Sequence, residues 1–265
     1  MSTTQQIISQ LQELTQQKYV AVLTRGNAAI FSALHAVQKE VLIPEDGGWI
    51  TYHQYPKKLK LKLTEVQTDD AIINLDDLKL KAKKADALLY HHPGGYFAEQ
   101  PLEAIYRICK KRDCLVILDI SGSIGTLQPI HADIIIGSFG RWKLVDAKAG
   151  GFLATNNQEL FQQLRPTFKL LDNETKLKTI LKKINQLPKR IKFLTETRNK
   201  IIKDLKQFNI IHPDHLGFVV IIKHKSPQEK EKLINYCNNH HLDYTECPRY
   251  IRINQPAISI EVKRL

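Results

Sequence analysis

The chain has 265 residues, 43% of them hydrophobic and 25% charged. That is enough to bury the core of one large domain or one and a half, and it excludes a disordered chain and a small disulfide-stapled scaffold. Lys and Arg number 39 against 27 Asp and Glu, a formal charge of +12. No apolar run approaches the roughly 18 residues a membrane helix needs. The opening MSTTQQIISQ has neither a basic n-region nor an apolar core, so no secretory leader is expected. Cys109, Cys114, Cys237 and Cys247 form no CxxC pair and are expected to be reduced thiols of a cytoplasmic protein; a bridge between Cys109 and Cys114 is the one alternative.

In chain order, IISQLQEL places Ile7, Ile8, Leu11 and Leu14 on one helical face. Tyr19 to Leu23 reads as a strand, Gly26-Asn27 as a turn, and Ala28 to Val37 as a helix. Val41 to Pro44 reads as a second buried strand, followed by a loop at Glu45 to Gly48. Further strands are expected at Ala87 to Tyr90, running into His91-His92-Pro93-Gly94-Gly95, and at Cys114 to Leu118, ending in Asp119, with a helix from Leu102 to Lys111 between them. Asp133 to Ile136, ending at Ser138, and Gly151 to Ala154 complete the series. These strands are short, β-branched and apolar throughout, and several alternate with helices. The pattern predicts an α/β fold, a mostly parallel sheet sandwiched by helices. Ligands of such sheets sit beyond the carboxyl ends of the strands, where Asn27, His91, His92, Asp119 and Ser138 would converge.

From Arg165 to Lys206 the chain becomes helical and lysine-rich, with thirteen basic and four acidic residues. The remainder reads as a smaller α+β unit: a strand at Phe218 to Ile222, a helix at Pro227 to His240, and strands around Tyr250 to Ile253 and Ile258 to Val262. The expected division is a large domain over 1–164, a basic helical connector over 165–210 and a small C-terminal domain over 211–265.

Three segments could carry chemistry. Gly26-Asn27, at a strand-to-helix junction, is either a phosphate cradle built on the helix N-terminus or a plain glycine turn with Asn27 as N-cap. Asp119, at the end of LVILD, is either a buried carboxylate that needs a cation or the cap of the Ser121-Gly122 turn. In SFGRWKLVDAKAGG, Lys143 follows Ser138 by five residues and Gly150-Gly151 closes the loop. A lysine in such a place can form a Schiff base; otherwise it is an exposed loop lysine. Neither GxGxxG nor GxxxxGK[ST] occurs.

In order and spacing, KYVAVLTRGNAAI at 18–30, VILD at 116–119 and SFGRWK…AKAGG at 138–151 resemble the DegT/DnrJ/EryC1/StrS aminotransferase family of fold-type I enzymes, which use pyridoxal 5′-phosphate (PLP). The resemblance runs from about residue 5 to 160. It implies a PLP-binding large domain in which Lys143 holds the cofactor as a Schiff base and then moves protons at substrate Cα. It also implies that Asp119 pairs with the pyridine nitrogen and that Gly26, Asn27 and Ser138 bind the phosphate. Trp49 would stack on the ring, and His91 or His92 would line the ring or substrate face. Arg252 in YIRIN would take a substrate carboxylate, with Arg249 as the competing arginine. The family's Gln three residues after the Asp is Gly122 here, and Ser121 and Ser123 are the neighbouring replacements.

The implied protein is a PLP-dependent transferase moving an amino group between small-molecule donors and acceptors, an amino acid or an amino- or keto-sugar, as a homodimer without a membrane partner. Two other readings stand beside it. One is PLP-dependent sulfur or selenium transfer with Cys247 as nucleophile. The other is a catalytically inactive PLP fold acting as a binding or regulatory module, for instance on nucleic acid through the 165–206 stretch, although a solvated lysine face is the simpler account of that stretch.

Overall fold

A computed structural model describes residues 1–126 and 131–265. The first part comprises α1 (Thr3–Thr15), β1 (Tyr19–Leu23), α2 (Gly26–Leu34), β2 (Glu40–Pro44), α3 (Ile50–Lys58), β3 (Lys62–Val66) and a short ribbon of β4 (Thr68–Asp69) with β5 (Ile72–Ile73). It continues through α4 (Leu75–Lys81), β6 (Ala87–His91), α5 (Leu102–Lys110), β7 (Leu115–Asp119), β8 (Ile134–Ser138), β9 (Gly151–Thr155) and α6 (Gln158–Leu164). Helices α7 (Glu174–Asn185) and α8 (Leu187–Asp204) lead to β10 (Asn209–Ile211), β11 (Val220–Lys223), α9 (Pro227–Asn239), β12 (Tyr244–Cys247) and β13 (Ala257–Ile260).

Among the described residues, seven strands form one sheet in the order β1-β9-β8-β7-β6-β2-β3. Neighbours from β3 to β8 pair in parallel, whereas β9 runs antiparallel to both β8 and β1. Alternate side chains of these apolar strands feed two different cores, as the two-residue period requires. Leu42, Leu88, Tyr90, Val116, Leu118 and Ile135 join one core with Ile7 and Leu11 of α1 and Leu177, Ile180 and Ile184 of α7. Val41, Ile43, Ala87, Leu89, Ile117, Ile134 and Ile136 join the other with Ala29, Ile30, Ala33 and Leu34 of α2. Each fully buried aliphatic side chain stabilises the sandwich by about 1.5–3 kcal/mol. A capping box of Ser2 and Gln5 starts α1.

Residues 50–81, where the sequence suggests no element, contain α3, β3 and α4. Strand β3, KLTEV, lies at the sheet edge with one fully buried residue, so it lacks the apolar run by which the inner strands are recognised.

The C-terminal sheet has the order β10-β11-β13-β12, with antiparallel pairing throughout. Here one expectation fails. Residues 250–253 form a turn, and the strand lies earlier, at Tyr244–Cys247. Pro248 cannot donate to a ladder and ends it. The four cysteines are buried free thiols. The lysines of α7 and α8, among them Lys182, Lys183, Lys189 and Lys192, point to solvent, while Leu177, Ile180, Leu187 and Leu194 point inward.

Strand β9 meets the start of α2 at very close range. A Cβ on Gly151 would lie 2.5 Å from the Gly26 nitrogen, 2.6 Å from the Arg25 carbonyl carbon and 2.7 Å from the Gly137 oxygen. All three are backbone atoms and cannot swing aside. Gly151→Ala should therefore cost about 1–3 kcal/mol, measured by urea unfolding. A change within about 0.5 kcal/mol would show that this junction yields easily.

Candidate active site

The carboxyl ends of β6, β7 and β8 and the start of α2 surround a cleft that opens to solvent. Its lining includes Gly26, Asn27, Trp49, His91, Asp119, Ser121, Ser138, Lys143 and Tyr96. The structure thus brings Lys143, Asp119, Trp49, His91, Ser138 and the Gly26-Asn27 turn into one cleft, although they are up to 117 residues apart in sequence.

Each is held by its own neighbours. Asp119, 5% exposed, accepts from the Tyr52 hydroxyl at Oδ2 (2.9 Å) and from the Ser121 backbone N–H at Oδ1 (2.9 Å). Burial raises the Tyr52 phenol well above its ordinary range, and the Asp119 charge adds to that, so Tyr52 remains a donor. Arg25 precedes α2 without offering a side-chain cap, which leaves the N-terminal end of the helix to the cleft. Ser138 packs so tightly against Gly26 that a Cβ there would meet the serine Cβ at 2.5 Å. The Ser138 Oγ accepts from the Gly140 N–H at 3.2 Å. Asn27 is not the cap of α2; its Oδ1 accepts from the Trp49 indole at 3.2 Å. Trp49 lies beside Lys143, whose Nζ is 4.6 Å from the ring centroid.

Lys143 is buried, not an exposed loop lysine, and its Nζ contacts the Tyr96 hydroxyl. Its loop is closed by bonds from Phe139 N–H to Gly150 O (3.0 Å) and from Ala147 N–H to Phe139 O (3.0 Å). Of the two histidines, His91 lines the cleft. The His92 Nδ1 accepts from the Gln100 N–H at 3.2 Å, behind it. Of the two serines after Asp119, Ser121 lines the cleft, whereas the Ser123 hydroxyl donates to the His92 carbonyl at 2.9 Å.

Arg252 does not take the role expected of it. Arg252 is 2% exposed, and its guanidinium grips Glu261 with Nη2 at 2.6 and 2.8 Å and Nε at 3.2 Å; Nε also reaches Ser259 Oγ at 3.0 Å. A fork already filled by a carboxylate cannot receive another. Arg249 is exposed and lies outside the cleft lining. Cys247 is buried in β12, and burial pushes its thiol up, so it is not the accessible thiolate that sulfur transfer requires.

Sequence reasoning missed Tyr96, Glu261 and Lys263. Tyr96 follows Gly94-Gly95 with φ at +71°. Its ring lies between Lys143 and the C-terminal cations, with Lys263 Nζ at 5.0 Å and the Arg252 guanidinium at 5.4 Å from the centroid. The Lys263 Nζ is also 3.1 Å from Glu261. No local pattern marks Tyr96, whose partners Lys143, Arg252 and Lys263 are distant in sequence, and the pairing of Glu261 with Arg252 depends on the fold of the turn between them.

Two buried cations thus share one carboxylate, with the Nε of the more exposed Arg264 at its margin, 3.7 Å away. Burial alone would raise the Glu261 carboxyl, but Arg252 and Lys263 outweigh it and hold the group well below the usual carboxylate range. Lys263 is the surplus cation. Burial, with repulsion from Arg252 and Lys143, overcomes the attraction of Glu261 and lowers its ammonium to about 7.

The profile of the DegT/DnrJ/EryC1/StrS aminotransferase family matches residues 2–179. The chain belongs to this family. Residues 185–265 match the MJ1341 family C-terminal domain. No curated protein matches the chain in sequence, but solved structures do so in fold. The aminotransferase TlmJ from Streptoalloteichus hindustanus superposes with a TM-score of 0.84 at 13% identity, over 98% of this chain and 85% of that one. Helicobacter pylori PseC, an aminotransferase involved in the biosynthesis of pseudoaminic acid, gives 0.81 at 15% identity, over 98% and 86%. The 3-amino-5-hydroxybenzoic acid synthase gives 0.76 at 14%, over 97% and 85%. The fold is fold type I, and the family makes the protein a PLP-dependent transferase of the aminotransferase class. Among the described residues, no helix is long and apolar enough to cross a membrane.

Glu261→Gln leaves two buried cations without their carboxylate and should cost about 3–5 kcal/mol in urea unfolding; a loss below about 1 kcal/mol would contradict the charge balance described. Lys263 gives a separate signature. Its folded value, about 7, lies below the ordinary 10.5, so between the two the unfolded chain binds the extra proton and stability rises with pH. Lys263→Met should remove that rise, and an unchanged pH profile of unfolding midpoints would refute it.

Proposed function

We propose that the chain transfers an amino group from a small amino acid donor to the carbonyl of a keto-sugar, giving an amino-sugar, at the Lys143 cleft. The observation that carries this reading is the convergence of Lys143, Asp119, Ser138 and the start of α2 on one cleft at the carboxyl edge of the sheet.

The residues present fit PLP on several independent counts. Lys143 lines the cleft, and Arg252 and Lys263 stand behind Tyr96 with Glu261 as their shared carboxylate, so the cations about the cleft favour an anionic ligand. The bare Gly26 lets a phosphate approach the first turn of α2 beside Ser138. Both nitrogens of the buried His91 ring lack a hydrogen-bond partner among the described residues. When bound, PLP supplies an electron sink for the charge left at substrate Cα and a carrier for the amino group.

The protein's own contributions follow from position. Lys143 anchors the cofactor covalently and, once released from it, moves the Cα proton. Asp119, held by Tyr52 and Ser121, keeps the pyridine nitrogen protonated. Gly26, Asn27 and Ser138 hold the phosphate, Trp49 covers the ring, and the Tyr96 hydroxyl steers the Lys143 amine. The sugar acceptor is suggested by PseC among the similar structures. The working unit is proposed to be a cytoplasmic homodimer. Its protomer would comprise the large domain, α7 as connector, and a small domain that includes α8, which packs against β11.

Added PLP should give purified protein a visible absorption band that Lys143→Ala cannot form. An amino acid donor should bleach the band with release of its keto acid, and a keto-sugar should restore it. A band that survives in Lys143→Ala would remove Lys143 from the centre of this reading, and a band that no amino acid bleaches would remove amino transfer.

A further inference from the structure

His91 ends β6 directly opposite Asp119 in the parallel register, so the two side chains leave the sheet on the same face, side by side. The imidazole is 3% exposed and lines the cleft, yet neither ring nitrogen has a hydrogen-bond partner among the described residues. Its ring packs against Tyr96 with centroids 4.4 Å apart. Position 122 is bare to make room for both rings. A Cβ on Gly122 would lie 2.9 Å from Tyr96 Cδ1 and 3.1 Å from His91 Cε1.

The groups that bear on the ring are Asp119, Lys143, Arg252 and the Pro93 carbonyl, which lies near a ring nitrogen and attracts its proton without the geometry of a full hydrogen bond, with His92 as its neighbour. Burial is the largest influence and lowers His91 to about 4. Lys143 and Arg252 push the same way, and Asp119 and Pro93 oppose them. The ring is therefore neutral near pH 7, with one N–H donor and one bare nitrogen. An unmet donor in so dry a place is costly, unless a ligand meets it.

The chemistry of PLP says which atom does so. Under the proposed function, on which this inference rests, Asp119 takes the pyridine nitrogen, Lys143 the aldehyde carbon, and Gly26, Asn27 and Ser138 the phosphate. The ring hydroxyl is the polar group left over. We propose that the imidazole of His91 donates a hydrogen bond to the phenolic oxygen of PLP bound at Lys143, and so tunes how tightly the neighbouring lysine nitrogen holds its proton. His91 is then a cofactor-contacting residue whose effect shows in the bound chromophore. Drawing negative charge from the phenolic oxygen weakens its hold on the proton shared with the lysine nitrogen.

The test titrates the visible band of PLP-loaded protein against pH, without substrate. His91→Phe should tighten proton binding about tenfold, raising the midpoint by about one pH unit, and His91→Asn, which keeps an N–H donor, should return it part of the way. Should His91→Phe fail to hold PLP, affinities for PLP and for its analogue lacking the ring hydroxyl replace the titration. Removing the hydroxyl should weaken binding several-fold more in the wild type than in His91→Ala. An unchanged midpoint in His91→Phe, an equal penalty in the affinity comparison, or a shift seen in Ser121→Ala but not in His91→Phe would each overturn the proposal. Absence of any visible band in the wild type would instead overturn the cofactor reading beneath it, which is a distinguishable result.

Discussion

Tyr96 has its hydroxyl on the Lys143 amine and its ring flanked by Arg252 and Lys263. Three cations around one aromatic ring repel one another, and the ring's negative face offsets only a small part of that repulsion. The balance comes from Glu261, buried beneath Arg252 and Lys263. Because Glu261 sits just after β13 and Lys143 in the loop after β8, one charge cluster ties the C-terminal sheet to the reactive lysine. The loop carrying Tyr96 takes part in the same joint. The Phe218 N–H donates to the Tyr96 carbonyl at 2.8 Å, and Tyr96 and Phe97 pack with Val219, Ile221 and Ile253. The C-terminal sheet therefore stands behind Tyr96, which itself lines the cleft.

The large domain contributes rigidity of a different kind. Its inner strands send alternate side chains into two separate cores, so neither face can slide without breaking both. Asp119 and His91 then emerge at fixed heights from adjacent strands, and Ser138 from the next. The antiparallel β9 returns directly beside β8 and brings the Gly150-Gly151 pair against the head of α2. Closeness at that junction is what gives the cleft a backbone floor. A phosphate cradle needs approach distances that only a missing side chain allows.

The parts legible in the sequence are those whose signal is local. Apolar runs ending in Asp119 and Ser138 mark buried parallel strands, and the interval from Ser138 through Lys143 to Gly150-Gly151 marks the lysine loop. Edge strand β3 was hidden by its polar composition and α3 by Pro56. Arg252 shows the deeper limit. Its pattern, an arginine among β-branched residues, fits a substrate-binding side chain and a structural one equally well. What decides between them is Glu261, nine positions further on and brought alongside by the turn between them. Tyr96 is similar, because its role depends on Lys143 and Lys263, which only the folded chain brings together.

The charge of the molecule separates along the same line. The lysines of α7 and α8 face water, where screening makes each nearly neutral in effect, and their closest pairs, Lys178 with Glu174 and Lys192 with Glu196, are loose exposed contacts at 3.7 and 3.9 Å. Beside the cleft a buried cation matters far more, because burial multiplies its interaction with everything nearby. Lys263 expresses that burial as a weakened hold on its own proton. An anionic ligand near Lys143 would reduce the repulsion that weakens it. Filling the cleft should therefore raise the proton affinity of Lys263, and by linkage the stability gained is greatest below pH 7, where that group carries its proton, and fades as pH rises through its titration. The site and the joint between the two domains are in this sense one electrostatic unit, and the basic surface helices stand outside it.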